Sequence, residues 1–217
     1  MQVITISDIK GKTKSIIPYG LNLAKRLQAK VDIIHSIDSR TQHGVNSPYA
    51  DSQSITPGNK LSHEEIMLRE KNTTRNALDK LLSREASVLN FPLKVNVTIE
   101  ENTLKKTINS KTGNDSNTLV AVNSEPDNYI FHSQKEIVET LKNSNLQVLV
   151  VPPGRKFKEF SNVLLVTNFS SNKGFDKYSK AVFLLRDFKP LIHAVDVAKP
   201  NKYIEKEIKK QSMATAC

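Results

Sequence analysis

Short β-branched runs alternate with helix-length segments along this chain, and that alternation limits its folds more than any other feature. Val3–Ile6 (VITI), Val31–Ile37 (VDIIHSI), Lys94–Ile99 (KVNVTI), Thr118–Val122 (TLVAV) and Gln147–Val151 (QVLVV) each read as strands. The segments between them carry apolar residues at helical spacing. The first has Ile16, Tyr19 or Gly20, Leu23 and Leu27. The second has Ile66, Ala77, Leu78, Leu81, Leu82 and Val88. Asn102–Lys111 and Gln134–Lys142 complete the set. A helix between two strands returns the chain to the edge it left, so the strands it joins run parallel. The expected fold is therefore α/β, a parallel sheet with helices on both faces and right-handed crossovers.

Local chemistry sets the expected boundaries. Pro18 belongs in a first helical turn, so Ser15 is favoured over Thr13 as the N-cap of the first helix. Arg40–Leu61 is polar and holds two Pro and two Gly, which predicts a loop. Ser62-His63-Glu64-Glu65 then reads as a capping box opening a long helix to about Leu89.

After Pro152-Pro153-Gly154 the pattern restarts. Val163–Val166 (VLLV) reads as a strand, Phe175–Arg186 as a helix, Leu191–Val197 (LIHAVDV) as a strand and Asn201–Lys210 as a charged helix. Val3–Ile9 matches Val163–Phe169, Tyr19 matches Tyr178, and Ile33–Ser39 (IIHSIDS) matches Leu191–Val197. A repeated α/β unit is expected, with a domain over 1–152, a linker over 153–160 and an incomplete β-α-β-α repeat over 161–217. A lone half-repeat leaves strand edges and apolar faces open, so packing between the repeats or a homodimer is expected. The ending QSMATAC is also compatible with a piece of a longer tandem protein.

Composition removes several function classes. The chain has 217 residues and a formal net charge of +10, with Lys dominating and no Arg-rich block, so specific nucleic-acid binding is not expected. No apolar run is long enough for a membrane span, and MQVITIS enters a strand without a signal-peptide pattern. The single Cys, Cys217, precludes a disulfide framework within one chain, and a cytoplasmic setting is expected. His43, His63 and His132 lack ligand spacing, His35 and His193 sit at matching strand positions, and no metal site is expected. No Gly-x-Ser-x-Gly elbow exists, so no hydrolase chemistry and no catalytic residue is assigned.

The ordered motifs resemble the universal stress protein family. The carriers are Ile6-Ser7-Asp8-Ile9-Lys10, Tyr19-Gly20 with Leu23-Ala24, Ile34-His35-Ser36, His132-Ser133, and Val148-Leu149-Val150-Val151-Pro152. The resemblance implies a flavodoxin- or Rossmann-like, doubly wound five-stranded sheet of order 3-2-1-4-5, with a ligand crevice at the carboxyl ends of strands 1 and 4. It also implies ligand-binding positions at Ser7, Asp8, Ser36, Asn123, Ser133 and Gln134. Nucleotide-binding members place a glycine-rich loop after strand 4, where phosphates lie against backbone N–H groups. Here Asn123 stands at the first glycine, His132 at the last, and no glycine occurs between Asn114 and Pro153. Glu125 and Asp127 add negative charge there. The expectation is a non-catalytic interaction or regulatory module with a degenerate nucleotide pocket and no cofactor. An ATP- or AMP-binding stress protein with a divergent loop is the alternative. Ser133 also reads as an N-cap with Glu136 three residues on. Asp8 reads equally as a turn former, and His35 and His193 as structural histidines.

Overall fold

The computed structural model describes residues 1–7, 9, 15–37, 63–89, 92–101, 104–112, 118–125, 139, 141, 146–167 and 187–196. The Arg40–Leu61 loop, Ser62, most of Gln134–Lys142, Phe175–Arg186 and Asn201–Lys210 lie outside them. The chain divides into two compact units, Met1–Phe157 and Lys158–Cys217.

The first unit runs β1 (Gln2–Ile6), α1 (Ile17–Leu27), β2 (Lys30–Ser36), α2 (His63–Leu89), β3 (Val95–Glu100), α3 (Leu104–Thr112), β4 (Thr118–Asn123) and β5 (Gln147–Val151). The five strands form one parallel sheet in the order β3-β2-β1-β4-β5. Val3 stands opposite Val31 on one side and Leu119 on the other. This is the parallel α/β sheet expected from the alternation, in the doubly wound order that the resemblance implies. The order reverses at β1, where successive connections leave in opposite directions.

Two cores follow from the period-2 alternation of the strands. Val3, Val31 and Ile33 face one side and pack with Ile17, Leu21 and Ala24 of α1 and Leu78 and Leu89 of α2. Ile4, Ile6, Ile34, Val120 and Val122 face the other side and pack with Ile108 of α3 and Leu141. Strands covered on both faces are near-continuous aliphatic runs, which is why β1, β2 and β4 read as they do. Edge strand β3 alternates more openly, with Asn96 exposed and Val95, Val97 and Ile99 half-buried.

The helices correct two details of the sequence reading, the Ser15 cap and the Val88 position. Ser15 is not the N-cap of α1; Ile16 is, with φ −75°, and it makes no side-chain cap bond. The Ser15 hydroxyl instead accepts the N–H of Ile17 at 3.2 Å, a local Ser turn that satisfies the same class of orphan donor. The end of α1 carries no glycine. Gln28 takes the left-handed conformation (φ 51°), and the N–H of Ala29 returns to the Ala24 carbonyl at 2.9 Å. In α2, Val88 is not a core position: it is 74% exposed, while its neighbour Leu89 is buried. Leu78 and Leu89 lie eleven residues apart on one face, close to three whole turns, and Val88 is rotated about 100° off that face.

Gly20 fixes how closely α1 lies on the sheet. A Cβ built there would fall against the Thr5 side chain, overlapping Oγ1 and standing 3.1 Å from Cγ2. Helix and strand therefore touch through a glycine. Nearby, Tyr19 meets Phe157 edge to face, with ring centroids 5.4 Å apart. Phe157 arrives there after a tight turn at Pro152–Arg155, with Gly154 at φ 69° and the Arg155 N–H 3.3 Å from the Pro152 carbonyl. The segment read as a bare linker thus supplies a packing residue to the first unit.

The second unit contains β6 (Asn162–Thr167) and β7 (Leu191–Asp196), paired in parallel from Asn162↔Leu191 to Thr167↔Asp196. Phe160 and Phe188 stack edge to face at 4.8 Å just outside the pair, with Phe188 buried. The register is not that of β1 and β2. His193 lies opposite Leu164, whereas His35 follows the Ile6↔Ile34 pair and lies level with Ser7. His193 is exposed, unlike its sequence counterpart His35, which is buried.

Candidate functional site

The carboxyl ends of β1, β2 and β4 meet beside the order reversal, where an open α/β sheet has its crevice. Ser7 follows β1, His35 and Ser36 end β2, and Asn123 ends β4. All four are buried: Ser7 is 0%, His35 2%, Ser36 6% and Asn123 5% exposed. The fold brings Ser7, Ser36 and Asn123, three of the six sequence-derived positions, to this edge. Asp8, Ser133 and Gln134 lie outside the described residues.

Each group at this edge has a neighbour within the protein. The Ser7 N–H donates to the Ile34 carbonyl at 2.8 Å, extending the β1–β2 ladder one step. Its hydroxyl lies 3.3 Å from Nδ1 of His35. The Ile37 N–H donates to the Glu100 carbonyl at 2.9 Å, closing β2 against β3. At β4 the Ser124 N–H donates to the Val151 carbonyl at 2.8 Å, and the Glu125 N–H donates to Oδ1 of Asn123 at 3.1 Å. Asn123 therefore closes an Asx turn on its own chain. The backbone donors that open the β4 loop are directed back into the sheet and its own side chain.

Charge reinforces this geometry. Glu100 ends β3, Glu101 follows it in an ion pair with Lys71, and Glu125 stands exposed after β4. The Ser7–His35 contact pairs a hydroxyl with an imidazole, and both side chains are buried. Among the described residues no group of three or more His, Cys, Asp or Glu is placed to hold a metal ion. Among them no helix is long and apolar enough to cross a membrane.

Sequence reading missed the His35–Ser7 contact, the Asx turn and the Tyr19–Phe157 contact. An Asn two residues before a free backbone N–H was a usable signal for the turn. The other two join residues far apart in the chain, with no local pattern to mark them.

No protein-family model matches the chain, and no curated protein matches it. Among solved structures it is similar to the hypothetical protein MJ0577, whose structure was used for a structure-based assignment of biochemical function. The two are 15% identical, the match covers 72% of this chain and 97% of the other, and the TM-score is 0.46.

Proposed function

We propose that the chain is a universal-stress-like, non-catalytic interaction or regulatory module whose nucleotide pocket has degenerated. One observation carries this reading. The N–H groups of Ser124 and Glu125, which open the loop where phosphate would be cradled, are spent on Val151 and on the Asn123 side chain. A phosphate site needs such donors pointing outward from a loop that lets backbone approach closely. Freeing them here breaks two internal hydrogen bonds before any ligand bond forms, each worth about 1 kcal/mol net. The acidic side chain of Glu125 beside them adds repulsion toward a polyphosphate.

A second reading is favoured by the convergence of Ser7, Ser36 and Asn123 at the order reversal. That is where a nucleotide-binding member of this fold would hold its ligand. Thermal unfolding of the whole chain with millimolar Mg-ATP, ADP and AMP separates the two. The degenerate-pocket reading expects no shift with any of them. A ligand at 100 times its Kd adds about 2.7 kcal/mol, and a rise of several degrees with one nucleotide would promote the second reading.

A further inference from the structure

We infer that the outer edge of β3 is a self-association site, where β3 of a second copy of this chain pairs antiparallel about a two-fold axis at Val97. β3 is the last strand on its side of the sheet. Parallel strands bond a given neighbour through alternate residues. The Val31 N–H donates to the Lys94 carbonyl at 3.1 Å, and the Ile37 N–H donates to the Glu100 carbonyl at 2.9 Å. Lys94, Asn96, Thr98 and Glu100 therefore turn their backbone groups toward β2, and Val95, Val97 and Ile99 turn theirs outward. Among the described residues none bonds these outward groups. Such an edge is a template for another strand. β3 reads VNVTIE, with no proline or glycine to interrupt a new ladder.

The side chains select the partner and the register. Lys94, Asn96, Thr98 and Glu100 share one face of the strand, and Val95, Val97 and Ile99 share the other. With the two-fold at Val97, Lys94 stands opposite Glu100 of the second copy, and Glu100 opposite its Lys94. Asn96 stands opposite Thr98. On the other face Val95 meets Ile99, and Val97 meets Val97. The outward backbone groups then fall in the hydrogen-bonded pairs, and the charges fall in the non-hydrogen-bonded pairs, whose side chains come closer. Lys94 is exposed and Glu100 half-buried, and neither makes an ion pair among the described residues. A slip of two residues sets Glu100 against Pro92 or Asn96 and loses both ion pairs. A lysine on an edge strand ordinarily discourages pairing. Here it is matched in one register and by one kind of strand. An unrelated strand meets both charges only if it carries Glu six residues after Lys, whereas a second copy carries them by construction. β2 separates β3 from the crevice at β1 and β4, so the pairing does not depend on what that crevice binds.

Sedimentation of the full chain over a concentration series up to millimolar tests the assignment, with a reversible monomer–dimer equilibrium expected. Lys94→Glu or Glu100→Lys alone sets like charges across both pairs and is expected to weaken the dimer at least about tenfold. The two together exchange the charges and are expected to restore association to within about threefold of the unsubstituted chain. Asn96→Cys with Thr98→Cys, in a Cys217→Ser background, is expected to give a disulfide-linked dimer on mild oxidation, because Cα atoms of a non-hydrogen-bonded pair lie about 4.5 Å apart. The amides of Val95, Val97 and Ile99 should gain exchange protection as the unsubstituted chain is concentrated, a readout by NMR that needs no variant to fold. A chain that stays monomeric at millimolar concentration, single reversals that leave association unchanged, or a folded double reversal that fails to restore it overturns the proposal. So do outward amides that exchange alike at every concentration, and a dimer that cross-links through β5 but not through β3.

Discussion

Gly20 and Thr5 bring α1 and β1 so close that a side chain at position 20 would meet Thr5. Thr5 is fully buried, and its hydroxyl has no hydrogen-bond partner among the described residues. Gly20→Ala should destabilise by about 1–3 kcal/mol through overpacking. Thr5→Ala should recover much of that loss, because it removes the atoms the new methyl meets. A double-mutant cycle in urea checks this, and additive effects would refute the contact as its cause. Tyr19 makes a second prediction at this scale. Burial raises its phenol above the ordinary value of 10.0. The unfolded chain therefore loses that proton first as pH rises. The stabilisation is complete below pH 10, and is lost as pH climbs from 10 through the raised folded value. Tyr19→Phe should flatten that part of the stability–pH curve relative to the unsubstituted protein. Identical curves above pH 10 would contradict the prediction.

Helix ends and faces decide the outcomes for whole elements. Gln28 closes α1 in a conformation that L-residues with a Cβ adopt at a cost of about 1 kcal/mol. Gln28→Gly should therefore stabilise by up to about 1 kcal/mol, read as a higher denaturant midpoint at constant slope. In α2, Leu78 is fully buried and Val88 is 74% exposed, although both fit an apolar stripe in the sequence. Leu78→Ala should cost about 2–5 kcal/mol. Val88→Lys should change stability by less than about 0.5 kcal/mol. Equal effects at the two positions would mean that the face assignment of α2 is wrong.

The two units of the molecule differ in how their strands are covered. In the first, β1, β2 and β4 are buried on both faces. In the second, Leu164, Val166, Leu191 and Val195 share one face of the β6–β7 pair and are each more than 40% exposed. A two-stranded sheet is marginal in isolation. Amide exchange should therefore be slowest in β1, β2 and β4 and faster by orders of magnitude in β7. Mass spectrometry of exchanged peptides reads this directly, and equal protection in β7 and β1 would show that the exposed face is covered in solution. The different registers of β1–β2 and β6–β7 belong to this scale too. A shift of three residues moves partners to opposite faces, because side chains alternate with period two. The exposure of His193 follows from the uncovered pair, since Leu191 to Val195 are exposed on both faces, whereas His35 lies in a strand buried on both faces.

Sequence alone determined the strands, their parallel order and the two-faced sheet, because those follow from local periodicity and from the return length of a helix. The resemblance in the motifs supplied the order 3-2-1-4-5, and with it the edge where Ser7, Ser36 and Asn123 meet. The burial of those three side chains was decided by tertiary structure, as was the closing of the Asn123 turn onto Glu125. So were Phe157 on Tyr19 and the overlap that makes Gly20 necessary. Each depends on how far apart two distant segments come to rest. Periodicity reports which face a residue takes, but not what stands across from it or how close. The register of β6 on β7 is set in the same way, by packing across the pair, and the repeated words in the sequence did not specify it.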